Sequence, residues 1–509
     1  MIAEEERVRL GAWIWCCMAR RFDTPPHGGY TARLMKRGCE ERFTRLAQHT
    51  ILMLSLVLPA AGQSAPKDYH ALGREILQEL VEIKTTESGV GSTPAAEAVA
   101  RRLRSAGFAP ADIQVTGPAE RKKNVVARFR GKAGSKPLLI IGHIDVVEAR
   151  KEDWSPDLDP FKLTERDGYF YGRGTQDMKE SAAIILTNFI RWKEEGWVPS
   201  RDLILALTAD EEAYGDENGV AWLLKNHRDM IDAEYCINVD SGEFNTRDGK
   251  PYTLSVAAGE KKETILELET QNRGGHGSIP RPDNAIYELT AALQKIENLQ
   301  FPTMLNDVTR AEFAAMASLE SGQVADDMRA LSKSAPDPAA VGRLSRDPYY
   351  NALLRTTCVA TMLEAGHGPS ALPQRAKATL NCRIIAGQTS DDVMQTLRRT
   401  VADDKVEIRW QFNESLESLV SPPRPEISSA VSRVRDRMWP GAVVIPGMET
   451  GGTDGRFLRA AGIPAYGISG AFIEQGDMRA HGKDERIRVG DFYRGLDFYD
   501  EFMKTLLRP

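Results

Sequence analysis

Cysteine is scarce in this chain: six residues in 509, of which Cys16, Cys17 and Cys39 fall within the first 66. The other three, Cys236, Cys358 and Cys382, are odd in number and widely spaced, which argues against a disulfide framework and against a cysteine-based metal site. No apolar run reaches the roughly 20 residues that a helix needs to cross a bilayer, so no stable membrane span is expected. Lysine and arginine form no run long enough to follow a nucleic-acid backbone and the net charge is -6, so the electrostatics point to small or neutral substrates and not to nucleic acid. No internal repeat stands out, which sets aside solenoids and propellers.

What is present is ordinary: 42% hydrophobic and 27% charged residues, enough for a sizeable core. A single core stops growing near ~250–300 residues, so a chain of this length should divide into at least two packed units. Residues 1–66 read unlike the rest, with Trp13, Trp15, Cys16 and Cys17 clustered without periodicity. From Met35, itself an alternative start, basic residues precede an apolar stretch at 51–58 and then small residues, with cleavage expected after Gly62 or Ala65. That is the layout of a secretory signal, so the expected location is exported, periplasmic or secreted.

Beyond the leader, residues 69–108 carry apolar residues at helical spacing, including Ala96, Val99, Leu103 and Phe108. PLLIIGHIDVV (137–147), DLILALTAD (202–210) and YCINVD (235–240) are short apolar runs suited to strands buried on both faces. Helical patterns at 179–195 and 217–227 separate them, which predicts a mostly parallel α/β sheet. TILELETQ (264–271) and ATLNCRII (378–385) alternate with period two around a helix at 283–299, as an inserted α+β domain would. The polar stretch 301–350 reads as decoration of that insert, and apolar runs near 442–445 and 464–468 return to the first domain. The expected division is therefore 1–66 leader, 67–253 catalytic domain, 254–383 inserted lid and 384–509 completing the catalytic domain.

Chemistry-bearing residues gather at strand ends. His143 and Asp145 form an HxD whose side chains share one face, so the carboxylate can orient a metal-binding imidazole; alternatively Asp145 caps a loop. Asp177 lies in a glycine-flanked turn just before a helix, where a ligand and a simple helix cap are both plausible. Glu211 and Glu212 follow a hydrophobic strand, and adjacent buried acids repel unless a cation or proton relieves them, although acidic triplets also occur on solvated loops. Asp240 ends a third strand and His481 sits in a glycine-containing loop. Together they converge on the carboxyl edge of an open α/β sheet, where such folds place ligands. Oxygen donors mixed with imidazole suit zinc or a similar divalent ion, and more ligands than one tetrahedral site needs point to two ions sharing a carboxylate.

GHIDVV, GRGTQDMKE, TADEEAYG, NVDSGE, GGHGS and RAHGKDE, in this order from about residue 69 to 507, resemble the motifs of the M20 family of metallopeptidases. The family includes carboxypeptidases, dipeptidases, aminoacylases and succinyl-diaminopimelate desuccinylase. The resemblance implies two zinc ions, with cobalt or manganese able to replace them. Asp177 would bridge the ions, His143 and Asp240 would complete one site, and Glu212 and His481 the other. It further implies that Asp145 orients His143, that Glu211 is the general base, and that His276 and Arg383 contact substrate, His276 by reaching a partner subunit of a homodimer formed through the insert. Gly452, between Gly451 and Thr453, would stand at the pocket rim. Ser370 departs from the asparagine of many relatives, which alters expectations for the carboxylate pocket. The implied substrate is a small peptide, as for a carboxypeptidase or dipeptidase; an N-acyl amino acid hydrolase and a non-catalytic peptide-binding protein are the alternatives.

Overall fold

The run LLIIGH forms the strand Leu138–His143, and every one of its residues is buried. Period-two geometry divides them between two layers: Leu138 and Ile140 join a core with Ile184, Phe189 and Phe492, while Leu139 and Ile141 join another with Val220, Leu223 and Leu458. Burial on both faces is why the sequence shows a continuous apolar run and not alternation. Leu203–Thr208, Tyr235–Asn238 and Ala465–Gly467 are buried throughout in the same way.

These four strands lie parallel at the middle of a large sheet, in the order Leu203–Thr208, Leu138–His143, Tyr235–Asn238, Ala465–Gly467. The computed structural model that shows this describes residues 67–213, 217–333, 335–413 and 416–508. The sheet is mixed at its flanks. Ile113–Ala119 and Lys122–Phe129 add antiparallel strands on one side, and Lys250–Glu260, flanked by Phe244–Arg247 and Val443–Glu449, extends the other. Helices Tyr69–Glu82 and Val489–Leu506 pack against Lys179–Glu194 on one face. Gly219–Asn226 and Gly455–Ala460 cover part of the other. The chain is thus an α/β protein with a mostly parallel central sheet.

A second, four-stranded antiparallel sheet runs in the order Thr357–Ala365, Arg375–Ile384, Lys262–Gln271, Val406–Asn413. Lys262–Gln271 and Arg375–Ile384 show the alternating burial their sequences predict, with one face packed on helices Ala285–Glu297 and Ser390–Val401. Its extent differs from the expected 254–383. Lys250–Glu260 is a strand of the large sheet, and Val406–Asn413 belongs to the small one, so the inserted sheet runs from Lys262 to Asn413. The outgoing and returning passages lie side by side, joined by a bridge between Gly259 and Val420 and by the Ser421 N–H donating to the Ala258 carbonyl at 2.7 Å.

Two further expectations are corrected. The stretch 301–350 supplies helices such as Asp307–Met316 and Gly322–Leu331, whose Phe313 and Met328 share a core with Met448 of the large sheet. It therefore packs on the catalytic sheet as well as connecting the insert. Buried Glu312 on the first of these helices accepts the Met448 N–H at 3.1 Å. Where no disulfide framework was expected, one disulfide is present: Cys358 stands opposite Cys382 in antiparallel register, with Cα atoms 4.1 Å apart, and the two are bonded. Cys236 is buried and free. Among the described residues no helix is long and apolar enough to cross a membrane. The expected secretory signal and its cleavage sites lie outside the described residues.

Candidate metal centre

The parallel strands deliver their ends to one edge. His143 is the last residue of its strand and Asp240 follows the end of Tyr235–Asn238 by two positions. Beyond Thr208, Asp210 adopts a left-handed conformation (φ 67°) that turns the chain so that Glu211 and Glu212 come next. Asp177 precedes helix Lys179–Glu194, but the N-cap is Met178 with no side-chain cap bond. Asp177 is thus no helix cap; its carboxylate lies between two imidazoles. One oxygen is 3.3 Å from His143 Nε2 and the other 3.0 Å from His481 Nε2. Asp240 comes within 3.4 Å of His143 Nε2, and Glu212 within 3.0 Å of His481 Nε2.

The arrangement is two clusters sharing Asp177, which fits a pair of divalent ions. A tetrahedral ion with bonds of about 2.0–2.1 Å has ligand atoms about 3.3 Å apart, close to the spacings just given. Ligand atoms of His143, Asp177 and Glu212 lie within 4.8 Å of one another, as do those of His143, Glu211 and Asp240, so these two groups meet at His143 and Glu211 also comes within ligand reach. His143 Nε2 is buried and makes no hydrogen bond, because the flanking oxygens lie at ion-pair distance without hydrogen-bond geometry. A buried polar atom rarely goes unsatisfied, and a cation at that lone pair would satisfy it.

The other imidazole nitrogen explains why Nε2 is the free one. His143 Nδ1 lies 3.0 Å from the Asp145 backbone carbonyl and 3.7 Å from its carboxylate. Donating that N–H fixes the tautomer with Nε2 unprotonated. The Asp145 carboxylate itself accepts the N–H groups of Glu211 at 3.3 Å and Glu212 at 3.0 Å. Asp145 therefore orients His143 mainly through its carbonyl, and its carboxylate sets the two glutamates.

Crowded acids raise each other's proton affinity. Burial pushes the Glu211 carboxyl well above the usual range, with Asp240 and Asp454 adding to the rise against His143. Burial likewise raises Glu212 and brings Asp240 up to about 7. Asp177 is held below the usual range despite its burial, because the His143 and His481 imidazoles face its two oxygens. His481, bonded to Asp177 and Glu212, is raised to about 10. His143 rises well above its usual value although burial opposes its charge, since Asp240 and Asp177 face it. The centre thus demands positive charge, whether protons or metal.

A cavity of about 590 Å³ opens over the cluster. Asp177, Glu211, Glu212, Asp240 and His481 form its floor, and Arg383, Glu263 and Phe412 of the small sheet face them with Gly452 and Arg456. Arg383 pairs with Glu263 at 2.9 Å, its direct partner across the ladder. Arg456 comes within 3.5 Å of Glu211. His276 is not brought to the cavity within one chain: it is exposed on a short ribbon paired to Ala371, its Nδ1 2.7 Å from Ser278 Oγ. Ser370 stands beside it, its carbonyl accepting the Gly277 N–H, away from Arg383.

Several residues of the site escaped the sequence reading. Asp454 accepts from Thr208 and Asn218 at 2.9 and 2.6 Å, and Glu260 accepts the Thr453 N–H and hydroxyl at 2.6 Å each, fixing the rim beside Gly452. Asp454 and Arg456 lie within TGGTDGRF, where an acid and a base in a glycine turn were a usable signal. Glu260 ends an unremarked strand and carried none.

Residues 139–505 match the family described as Peptidase family M20/M25/M40. A probable carboxypeptidase S-like 2 of Dictyostelium discoideum is 30% identical over 387 residues, covering 73% of this chain and 72% of its own. An N-fatty-acyl-amino acid synthase/hydrolase of Mus musculus is 28% identical over 383 residues, 73% of this chain and 74% of its own. Among solved structures, an M20 family metallo-carboxypeptidase from Sulfolobus solfataricus shares the fold with a TM-score of 0.65 at 18% identity, covering 85% of this chain and 99% of its own.

Proposed function

The chain belongs to peptidase family M20/M25/M40 and is a metal-dependent amide hydrolase, and from that premise we propose a zinc carboxypeptidase or dipeptidase that cleaves the amide bond next to a free carboxylate. One observation carries this reading: Arg383 faces the metal-ligand cluster across a single cavity. A guanidinium offers a two-pronged grip on a carboxylate, and its place opposite the acids sets the distance from the substrate's end to the bond that breaks.

His143, Asp240 and one oxygen of Asp177 would hold one ion; His481, Glu212 and the other oxygen would hold the second. Two such ions polarise a carbonyl and acidify water when bound. Glu211, half-buried beside them and anchored through its N–H to Asp145, takes the proton of the attacking water and returns it to the leaving amine. Arg383 releases Glu263 to bind the substrate carboxylate, and the Gly452–Thr453 rim, pinned by Glu260, bounds the pocket.

A second reading, hydrolysis of N-acyl amino acids, has support from the mouse relative named for N-fatty-acyl-amino acids and from Phe412 and Phe457, which give the cavity an apolar wall. It uses the same carboxylate grip. Hydrolysis of dipeptides, N-acyl amino acids and their carboxamides, together with metal analysis, tests both. We expect the carboxamides to react at least tenfold more slowly, and Arg383→Ala to erase that difference by removing a charge-assisted contact of about 1.5–3 kcal/mol. Equal rates on acids and carboxamides in the unaltered enzyme would reject the grip.

Two further assignments belong to the same proposal. The enzyme is exported, which suits both the secretory layout of residues 35–66 and a disulfide of the kind that persists in oxidising compartments. It acts as a homodimer through the inserted sheet, whose edge strand Thr357–Ala365 exposes Val359 (61%), Met362 (59%) and Leu363 (58%).

A further inference from the structure

Two of the three ligands of the second ion, Asp177 and His481, lie on loops outside regular structure that meet each other. Asp177 ends the loop that leads into helix Lys179–Glu194, while His481 lies between the short strands Phe472–Glu474 and Arg486–Arg488, itself at φ 61°. Glu485, four residues beyond His481, has no solvent exposure. One of its oxygens accepts the backbone N–H groups of Gly174, Gln176 and Asp177 at 3.1, 2.7 and 3.2 Å, and the other binds Arg173 at 2.6 Å. Gln176 returns the connection: its amide donates to the carbonyls of Asp477 and Arg486 at 2.9 and 2.8 Å, and its oxygen accepts the Arg479 N–H at 2.6 Å.

We propose that Glu485 and Gln176 are positioning residues that clasp the Asp177 loop to the His481 loop and so set the separation of Asp177 and His481, two of the three side chains that would hold the second ion. The reasoning rests on the dimetal reading. Every bond in the clasp runs from one loop to the other, and the Glu485 carboxylate, fully engaged by backbone and Arg173, serves no ligand role of its own. The two loops are not equally supported. Asp177 adjoins a long helix buried in the core, whereas His481 is half-exposed on a loop, its side chain touching Asp177 and Glu212. Opening the clasp therefore frees His481 first, and the loss falls on the ion that His481 and Glu212 would share, leaving the His143–Asp240 ion in place.

Removing Glu485 strands a buried guanidinium, and such a change is itself strongly destabilising. Gln176→Ala deletes three uncharged bonds without that penalty, so it is the primary variant and Glu485→Gln the second. The measurement is zinc per chain against buffered free zinc, with the melting temperature of the metal-free protein beside it. We expect two ions in the wild type, and in Gln176→Ala a 10–100-fold weaker affinity for one ion, as loss of supporting contacts costs metal sites elsewhere, with the other ion and the metal-free melting temperature little changed. Glu485→Gln should show the same selective loss. Unchanged binding of both ions, or equal weakening of both in step with a fall in metal-free melting temperature, would overturn the clasp. A wild type that binds fewer than two ions would overturn the dimetal reading and the clasp with it.

Discussion

Glu211 is the residue on which the proposed chemistry turns, since it is half-buried beside the ligands and its backbone N–H is held by Asp145. Glu211→Gln keeps the shape and removes the proton-carrying function. We expect kcat to fall by about 10²–10⁴-fold, the usual worth of a general base, with metal content unchanged; wild-type kinetics would refute the assignment. At this scale the sequence was most informative where a side chain meets another side chain. His143, Asp177, Glu212, Asp240 and His481 are chemically unusual at strand ends, and the structure brings all five together. Glu485 and Glu260 were illegible because their partners are mostly backbone N–H groups and buried cations, which leave no mark on residue type. Asp145 was half legible: its neighbourhood to His143 was plain, but that its carboxylate serves the two glutamates depends on how two strand ends meet in space.

Elements carry the next level of expectation. Parallel strands buried on both faces announce themselves as apolar runs, which is why Leu138–His143 and Leu203–Thr208 were readable. The antiparallel pairing of Cys358 with Cys382 was not, because register across a hairpin depends on a turn and a bulge that composition does not reveal. Val406–Asn413 was missed as a strand of the insert because a helix intervenes and its burial alternates only weakly. Two outcomes follow here. Glu312 is a carboxyl whose burial raises it to about 8. The unfolded value is about 4.3, so the folded state holds the proton more tightly, and stability present below that value is lost as pH rises through 8. Glu312→Gln keeps an acceptor for the Met448 N–H, and its melting temperature should gain on the wild type between about pH 5 and pH 8, the difference bounded by roughly 5 kcal/mol. A constant gap would show that Glu312 does not titrate there. At the edge strand, Val359→Lys with Leu363→Lys should shift sedimentation from dimer to monomer while hydrolysis of metal-loaded protein measures what the partner contributes; an unchanged dimer would exclude this strand.

The whole molecule answers to its metal. Without cations the clustered acids are neutralised only by protons and imidazolium, so chelation should lower the melting temperature and zinc restore it. A ligand at 100-fold above its Kd contributes about 2.7 kcal/mol, which at roughly 2–4 °C per kcal/mol for domains of 150–250 residues is a shift of about 5–11 °C; a melting temperature indifferent to chelator and to zinc would reject a resident metal. The broad division into a parallel core and an antiparallel insert was readable from the change in apolar period, while the borders at Lys262 and Asn413 were set by strand pairing. The order in which the ligands enter the chain has a consequence of its own. One imidazole arrives at residue 143 and its counterpart only at residue 481, so the centre would close only when segments 338 positions apart have folded onto the same sheet edge.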